Sequence, residues 1–113
     1  LPAFAVTEKN FKKEIKRCKT PVLLSFWADC GVSSVLMRQT ADSLSDELNG
    51  KIKVGVIELQ SESEKPKTHK HKLAQKYNVR FLPATLLINN GKVCERIIGN
   101  PGKDGFLKIL NIS

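Results

Sequence analysis

Three things are scarce in this sequence: long apolar runs, cysteine and acidic side chains. No apolar run approaches the ~18 residues that a membrane-crossing helix needs. Apolar stretches such as Ala3–Val6, Val22–Leu24 and Leu86–Ile88 have the length of core strands instead. The cysteines number three, at positions 18, 30 and 94, so at most one internal disulfide can close. Their wide separation fits neither a disulfide scaffold nor a metal-ligand set, and such usage fits a reducing compartment. Acidic residues number 11 against 19 basic ones, for a net charge of +8. That imbalance favours acidic partners, or else is a solvated basic surface. No aromatic residues interleave the basic ones and no nucleic-acid motif is present, so nucleic acid is the weaker candidate.

What is present reads as one soluble domain over residues 1–113. The chain has 113 residues, 41% apolar and 27% charged, room for one hydrophobic core. It begins at Leu1 rather than Met, as expected of a mature or trimmed form, from which any targeting peptide would already be missing. No internal repeat is visible. Ala3–Val6 is a short strand. Thr7 can cap a helix with Glu8 in its first turn, and Phe11 and Ile15 share one face of that helix. It ends near Cys18, before Pro21. Val22–Ala28 is a buried strand, broken at Asp29–Val32.

A long helix follows, from about Ser34 to Leu48. Met37, Ala41, Leu44 and Leu48 recur on one helical face, and Asn49-Gly50 stops it. Ile52–Leu59 is a strand, Gln60–His69 a polar loop with Pro66, and Lys70–Asn78 a short helix. Thr85–Ile88 and Val93–Ile98 form a hairpin, because Asn90-Gly91 lies between two apolar runs. Gly99–Gly102 is a turn, and Lys103–Ile112 closes the chain as a helix with Phe106, Leu107 and Leu110 inward. The order β-α-β-α-β-α-β-β-α predicts an α/β fold, a mixed sheet with helices on both faces.

These residues resemble a known family. Pro21-Val22-Leu23-Leu24-Ser25-Phe26-Trp27-Ala28 resembles the thioredoxin strand that leads into the active site. Asn78-Val79-Arg80-Phe81-Leu82-Pro83-Ala84 resembles the segment around that family's cis-proline. Asn90-Gly91-Lys92-Val93 and Ile97-Ile98-Gly99 resemble its last hairpin and the glycine after it. The likeness spans nearly the whole chain. Ser45–Lys51 and Glu95-Arg96-Ile97-Ile98-Gly99 are most similar to the plastid m-type and bacterial group. The resemblance implies a thioredoxin fold, with a mixed five-stranded sheet flanked by four helices. It also implies a site where the second helix meets the cis-proline loop, and a plastid stroma or other reducing compartment.

The chemistry implied by the resemblance needs Cys-Gly-Pro-Cys at the start of that helix. The first thiolate attacks a substrate disulfide and the second cysteine resolves the mixed disulfide. Here the stretch reads Trp27-Ala28-Asp29-Cys30-Gly31-Val32-Ser33-Ser34. In one register Cys30 is the nucleophile and Ser33 replaces the resolving cysteine. In the other, ungapped register Gly31 and Ser34 occupy the two cysteine positions and Cys30 that of a tryptophan. Counting along the helix from Ser34 by the family's core steps gives Met37, Ala41, Leu44 and Leu48. Counting from Ser33 gives Leu36, Thr40, Ser43 and Glu47, which would bury a carboxylate at a cost of about 5 kcal/mol. The ungapped register is therefore favoured; a deletion confined to the loop, with later compensation, is the alternative. Ser25 stands where the family keeps a buried proton-relaying aspartate, and Val56 where it keeps a lysine. Neither can act as general base near pH 7.

The expected function is therefore a redox-inactive binding or assembly module. It would hold a protein partner, acidic or an extended peptide, in a groove of Trp27, Cys30, Leu82, Pro83 and Gly99. Gly31, Val32, Ser33 and Ser34 are the degenerate active-site positions. The alternative is a monothiol oxidoreductase or redox sensor using Cys30, with glutathione or a partner thiol as resolver. A third, weaker alternative is a basic adaptor on a nucleic-acid or ribosomal assembly. Cys18 and Cys94 read as small apolar packing residues, and Ser33 and Ser34 as helix caps rather than nucleophiles. His69 and His71 lack two further ligands, so they read as solvated loop. No metal, cofactor or membrane contact is expected. The charged loop Ser61–Lys72 exceeds its counterpart in the family by about eight residues, long enough for a contact surface.

Overall fold

The computed structural model describes residues 2–28, 32–59, 61–62, 65–66 and 71–112, without the side chains of 32–34, 61–62 and 65–66. Strand β1, Phe4–Ala5, is followed by a single π-helical turn at Lys12–Lys16. Next come β2 (Val22–Trp27), helix α1 (Val32–Leu48) and β3 (Lys53–Glu58). A two-stranded ribbon, β4 (Ser61–Glu62) and β5 (Lys65–Pro66), precedes α2 (Lys72–Lys76). The hairpin β6 (Ala84–Asn89) and β7 (Lys92–Ile98) and helix α3 (Gly102–Ile109) complete the chain.

The main sheet runs in the order β1-β3-β2-β6-β7. Strand β2 is central: parallel to β3, with Val22 opposite Lys53 and Trp27 opposite Glu58, and antiparallel to β6, with Ser25 opposite Thr85. The result is a mixed five-stranded sheet flanked by four helices, one of them the π-helical turn, as the resemblance implies.

Period-two alternation in β2 divides the interior into two layers where the sequence reading expected one core. Val22, Leu24 and Phe26 point toward Phe11 and Ile15 of the π-helical segment and Leu73, Ala74 and Tyr77 of the α2 region. Leu23 and Trp27 point the other way, toward Met37, Ala41 and Leu44 of α1 and Phe106 of α3. On α1 the apolar stripe lies where its period places it. Met37, Ala41, Leu44 and Leu48 are at most 2% exposed, while Leu36 is 44% exposed. Glu47 and Ser43 face solvent. The helix stops at Asn49-Gly50, where the Lys51 N–H returns to the Leu48 carbonyl at 2.8 Å.

Four local features depart from the sequence reading. Thr7 does not cap the helix, whose N-cap Phe11 makes no side-chain bond; it closes the preceding turn with Asn10 instead, the Thr7 N–H donating to Asn10 Oδ1 at 2.8 Å and the Asn10 N–H to Thr7 Oγ1 at 3.2 Å. The helix that follows is π rather than α, because the Arg17 N–H reaches the Lys12 carbonyl, five residues back, at 3.0 Å. Phe11 and Ile15 share a face in either form, so periodicity over one turn cannot separate them. The 60–69 loop contains the β4–β5 ribbon, with Glu62 opposite Lys65. In a two-residue ribbon every strand is an edge, so the N–H missing from Pro66 breaks no interior ladder. Helix α2 is shorter than expected and is capped by His71, whose Nδ1 accepts from the Leu73 N–H at 3.2 Å. The hairpin turn is as expected: Asn90 and Gly91 have φ of 53° and 78°, the positive pair that a type I′ turn requires.

Two predictions test this packing. Leu44→Ala should cost about 3 kcal/mol in urea unfolding, whereas Leu36→Ala should stay within about 0.5 kcal/mol of the parent. The second concerns Glu14, whose carboxylate pairs with Lys53. The hydrogen bond from Lys53 and then its charge hold the Glu14 pKa below its ordinary 4.5. A depressed carboxylate pKa stabilises the folded state above the unfolded pKa, and that contribution is lost as pH falls through the folded value. The melting-temperature difference between the parent and Glu14→Gln should therefore be present at pH 7 and vanish as the pH drops below 4.5.

Candidate functional site

The carboxyl end of β2 fixes one wall of the site. Sheet register puts Phe26 opposite Ala84, and Ala84 opposite Ile98. One residue further on in β2 and β7, and one earlier in β6, Trp27, Pro83 and Gly99 lie along a single sheet edge. The Leu82–Pro83 peptide is cis. The Gly99 N–H donates to the Pro83 carbonyl at 2.8 Å, tying the β7 exit to the proline loop. Gly99 has φ of 88° and open space where a Cβ would lie, so glycine is required by the backbone rather than by crowding.

Trp27 is half-buried, packed on the α1–α3 layer. Its carbonyl accepts from the Leu59 N–H at 2.8 Å. Its indole N–H is out of solvent and has no partner among the described residues. Leu82 is half-buried and Pro83 buried. Two residues outside the expected set flank them: Phe81, 70% exposed, and Ile98, 56% exposed. Their signal in the sequence was adjacency, since each neighbours an expected groove residue.

Cys30 and Gly31 lie outside the described residues. The backbone of Val32, Ser33 and Ser34 forms the first turn of α1. The expected capping role of the two serines is thereby corrected: the helix starts at Val32, and a cap must precede the first helical residue. Cys18 is half-buried against the core as expected, its Sγ 3.3 Å from Thr20 Oγ1. Cys94 is exposed on the outer strand β7, its Sγ donating to the Lys92 carbonyl at 3.6 Å, which corrects its reading as a small apolar packing residue.

On the sheet face that α1 covers, one row of side chains lies across neighbouring strands: Val56, Ser25, Thr85 and Ile97. All four are buried. The Ser25 and Thr85 hydroxyls lie 2.9 Å apart, and either can donate. Each buried hydroxyl is thus satisfied without a charge. The row holds no group that titrates near neutral pH, so it cannot pass a proton to or from the helix start. Thr85 was not singled out in the sequence because its partner is 60 residues away.

Among the described residues no three His, Cys, Asp or Glu side chains converge on a metal site, and no helix is long and apolar enough to cross a membrane.

The thioredoxin family model matches residues 2–111. The chain belongs to the thioredoxin family. Thioredoxin of Rickettsia felis is 33% identical over 109 residues, which cover 96% of this chain and 95% of that protein. Thioredoxin of Chlorobaculum thiosulfatiphilum is 30% identical, over 93% of this chain and 90% of its own length. Thioredoxin 1 of a Nostoc species is 29% identical, over 86% and 83%. The architecture described above is accordingly the thioredoxin fold.

The hydroxyl pair gives a direct test in this thioredoxin-family chain. Ser25→Ala leaves the Thr85 hydroxyl buried without its partner and should cost about 1–3 kcal/mol. The double change Ser25→Ala/Thr85→Val removes both polar groups and should unfold within about 1 kcal/mol of the parent, a coupling that a urea double-mutant cycle measures.

Proposed function

We propose that this thioredoxin-family protein is redox-inactive and works as a binding or assembly module, holding a protein partner in the groove beside Pro83. The observation that carries this reading is the row beneath α1. Its hydroxyls are paired with each other, and Val56 and Ile97 close it on either side. Two-thiol exchange needs a resolving thiol and a group to move its proton. The sequence offers a single thiol between Trp27 and Ser34, and no titrating residue occupies the row. A binding module needs neither. The groove edge is kept: the half-buried Trp27, the cis-proline, Gly99 tied to it and the exposed Phe81 and Ile98 form an apolar margin for an extended peptide.

The test is reduction of insulin by dithiothreitol. Turnover should stay at the background rate, and turnover near that of an ordinary thioredoxin would sink the reading. Gly31→Cys/Ser34→Cys should form a reversible disulfide and restore only part of the activity, since Ser25 relays no proton. If Ser33→Cys instead forms the reversible pair and the double variant does not, Cys30 is the first thiol position and the monothiol oxidoreductase replaces the binding module.

A further inference from the structure

The basic residues of this chain are not evenly spread. Phe11 and Ile15 pack with the α2 region in one layer, and Lys12 and Lys16, next to them in sequence, lie near enough to Lys76 at the end of α2 to act on it. The Lys76 ammonium lies 5.0 Å from the ring centroid of Phe11 and 5.7 Å from that of Tyr77, two rings that pack on each other at 5.8 Å. Those rings hold the ammonium in place over the seam between two elements 60 residues apart. Desolvation is the largest effect lowering the Lys76 pKa, followed by the positive charge of Lys16, a side-chain hydrogen bond with Lys16 and the charge of Lys12. Among the described residues no carboxylate acts on it. Glu14, the acid in the same helical turn, is engaged by Lys53 instead. Like charges gathered without a counter-charge cost folding free energy, and a bound anion offsets that cost.

We propose that the face formed by Lys12, Lys16 and Lys76 is a docking site for an acidic protein segment, a run of Asp and Glu side chains. Charge complementarity selects an anion, and the surroundings select its class. Phe11 and Tyr77 are 5% and 8% exposed, so neither offers a face for base stacking. The three cations are lysines, point charges that suit separate carboxylates, and the neighbouring Arg96 guanidinium is engaged with the Tyr77 carbonyl at 2.6 Å. The face belongs to the layer opposite α1 and α3 and stands independently of what the Pro83 groove binds.

Fluorescence anisotropy of a labelled oligoglutamate peptide against the full chain tests the site, with a duplex DNA of equal charge as comparison. At low salt the peptide should bind, and Lys12→Gln/Lys16→Gln/Lys76→Gln should weaken it about tenfold. A control with the same charge loss elsewhere, Lys92→Gln/Lys103→Gln/Lys108→Gln, should change it less than about twofold. If the triple variant does not fold, Lys16→Glu alone, which touches neither ring, should still weaken binding. The proposal is overturned if oligoglutamate does not bind, if the two triple variants lose affinity equally, or if the DNA binds more tightly than the peptide at the same salt. Insulin reduction is unaffected by these substitutions, so this result and the test of redox inactivity are read separately.

Discussion

Strand β2 has neighbours on both edges and side chains buried on both faces, and the remaining elements take their positions from it. A strand so placed must be apolar on alternate residues in both directions, and Val22–Phe26 meets that demand with one polar side chain, Ser25. Its parallel edge brings in β3 and, beyond it, β1; its antiparallel edge brings in the β6–β7 hairpin. Its two faces separate the α1–α3 layer from the layer of the π-helical turn and α2. Its end delivers Trp27 to the edge where Pro83 and Gly99 arrive from two other strands.

The single polar residue of β2 sets the character of the buried row it belongs to. In a low-dielectric interior an unpaired hydroxyl is costly and a charge far more so. Thr85 removes the first cost by pairing with Ser25, and Val56 and Ile97 leave no reason for a charge to be there. The outcome is a satisfied, neutral row: stable, and without acid–base capacity. The apolar margin at Phe81 and Ile98 is not constrained by that row, so recognition at the groove edge and proton transfer beneath the helix are physically separable.

Charge follows a similar division. The Glu14–Lys53 pair neutralises one side of the π-helical turn, near the start of β3. The other side carries Lys76, held over Phe11 and Tyr77, with the charges of Lys16 and Lys12 acting on it. An overall charge of +8 describes neither fact. What matters to a partner is where the cations converge, and that convergence is set by the docking of α2 on the π-helical turn.

Local physics made much of this molecule legible in the sequence. The apolar period of Met37, Ala41, Leu44 and Leu48 specified the buried face of α1, because a helix repeats every 3.6 residues whatever it packs against. Asn90-Gly91 specified the hairpin, because few residues take positive φ twice in succession. The five-stranded sheet with four helices, and the cis bond before Pro83, followed from family resemblance rather than from periodicity. Tertiary structure decided what depends on pairs distant in sequence: Thr85 as the partner of Ser25, Lys76 as the neighbour of Lys12 and Lys16, Cys94 outside rather than in. It also decided features one turn long, such as the π geometry and the β4–β5 ribbon, where a few residues fit two conformations equally well. The sequence by itself determined which side chains each element must bury. Which buried or exposed side chains then meet was settled only when β2 brought together segments some 60 residues apart, since contact between them is a property of the folded sheet and of no local stretch of chain.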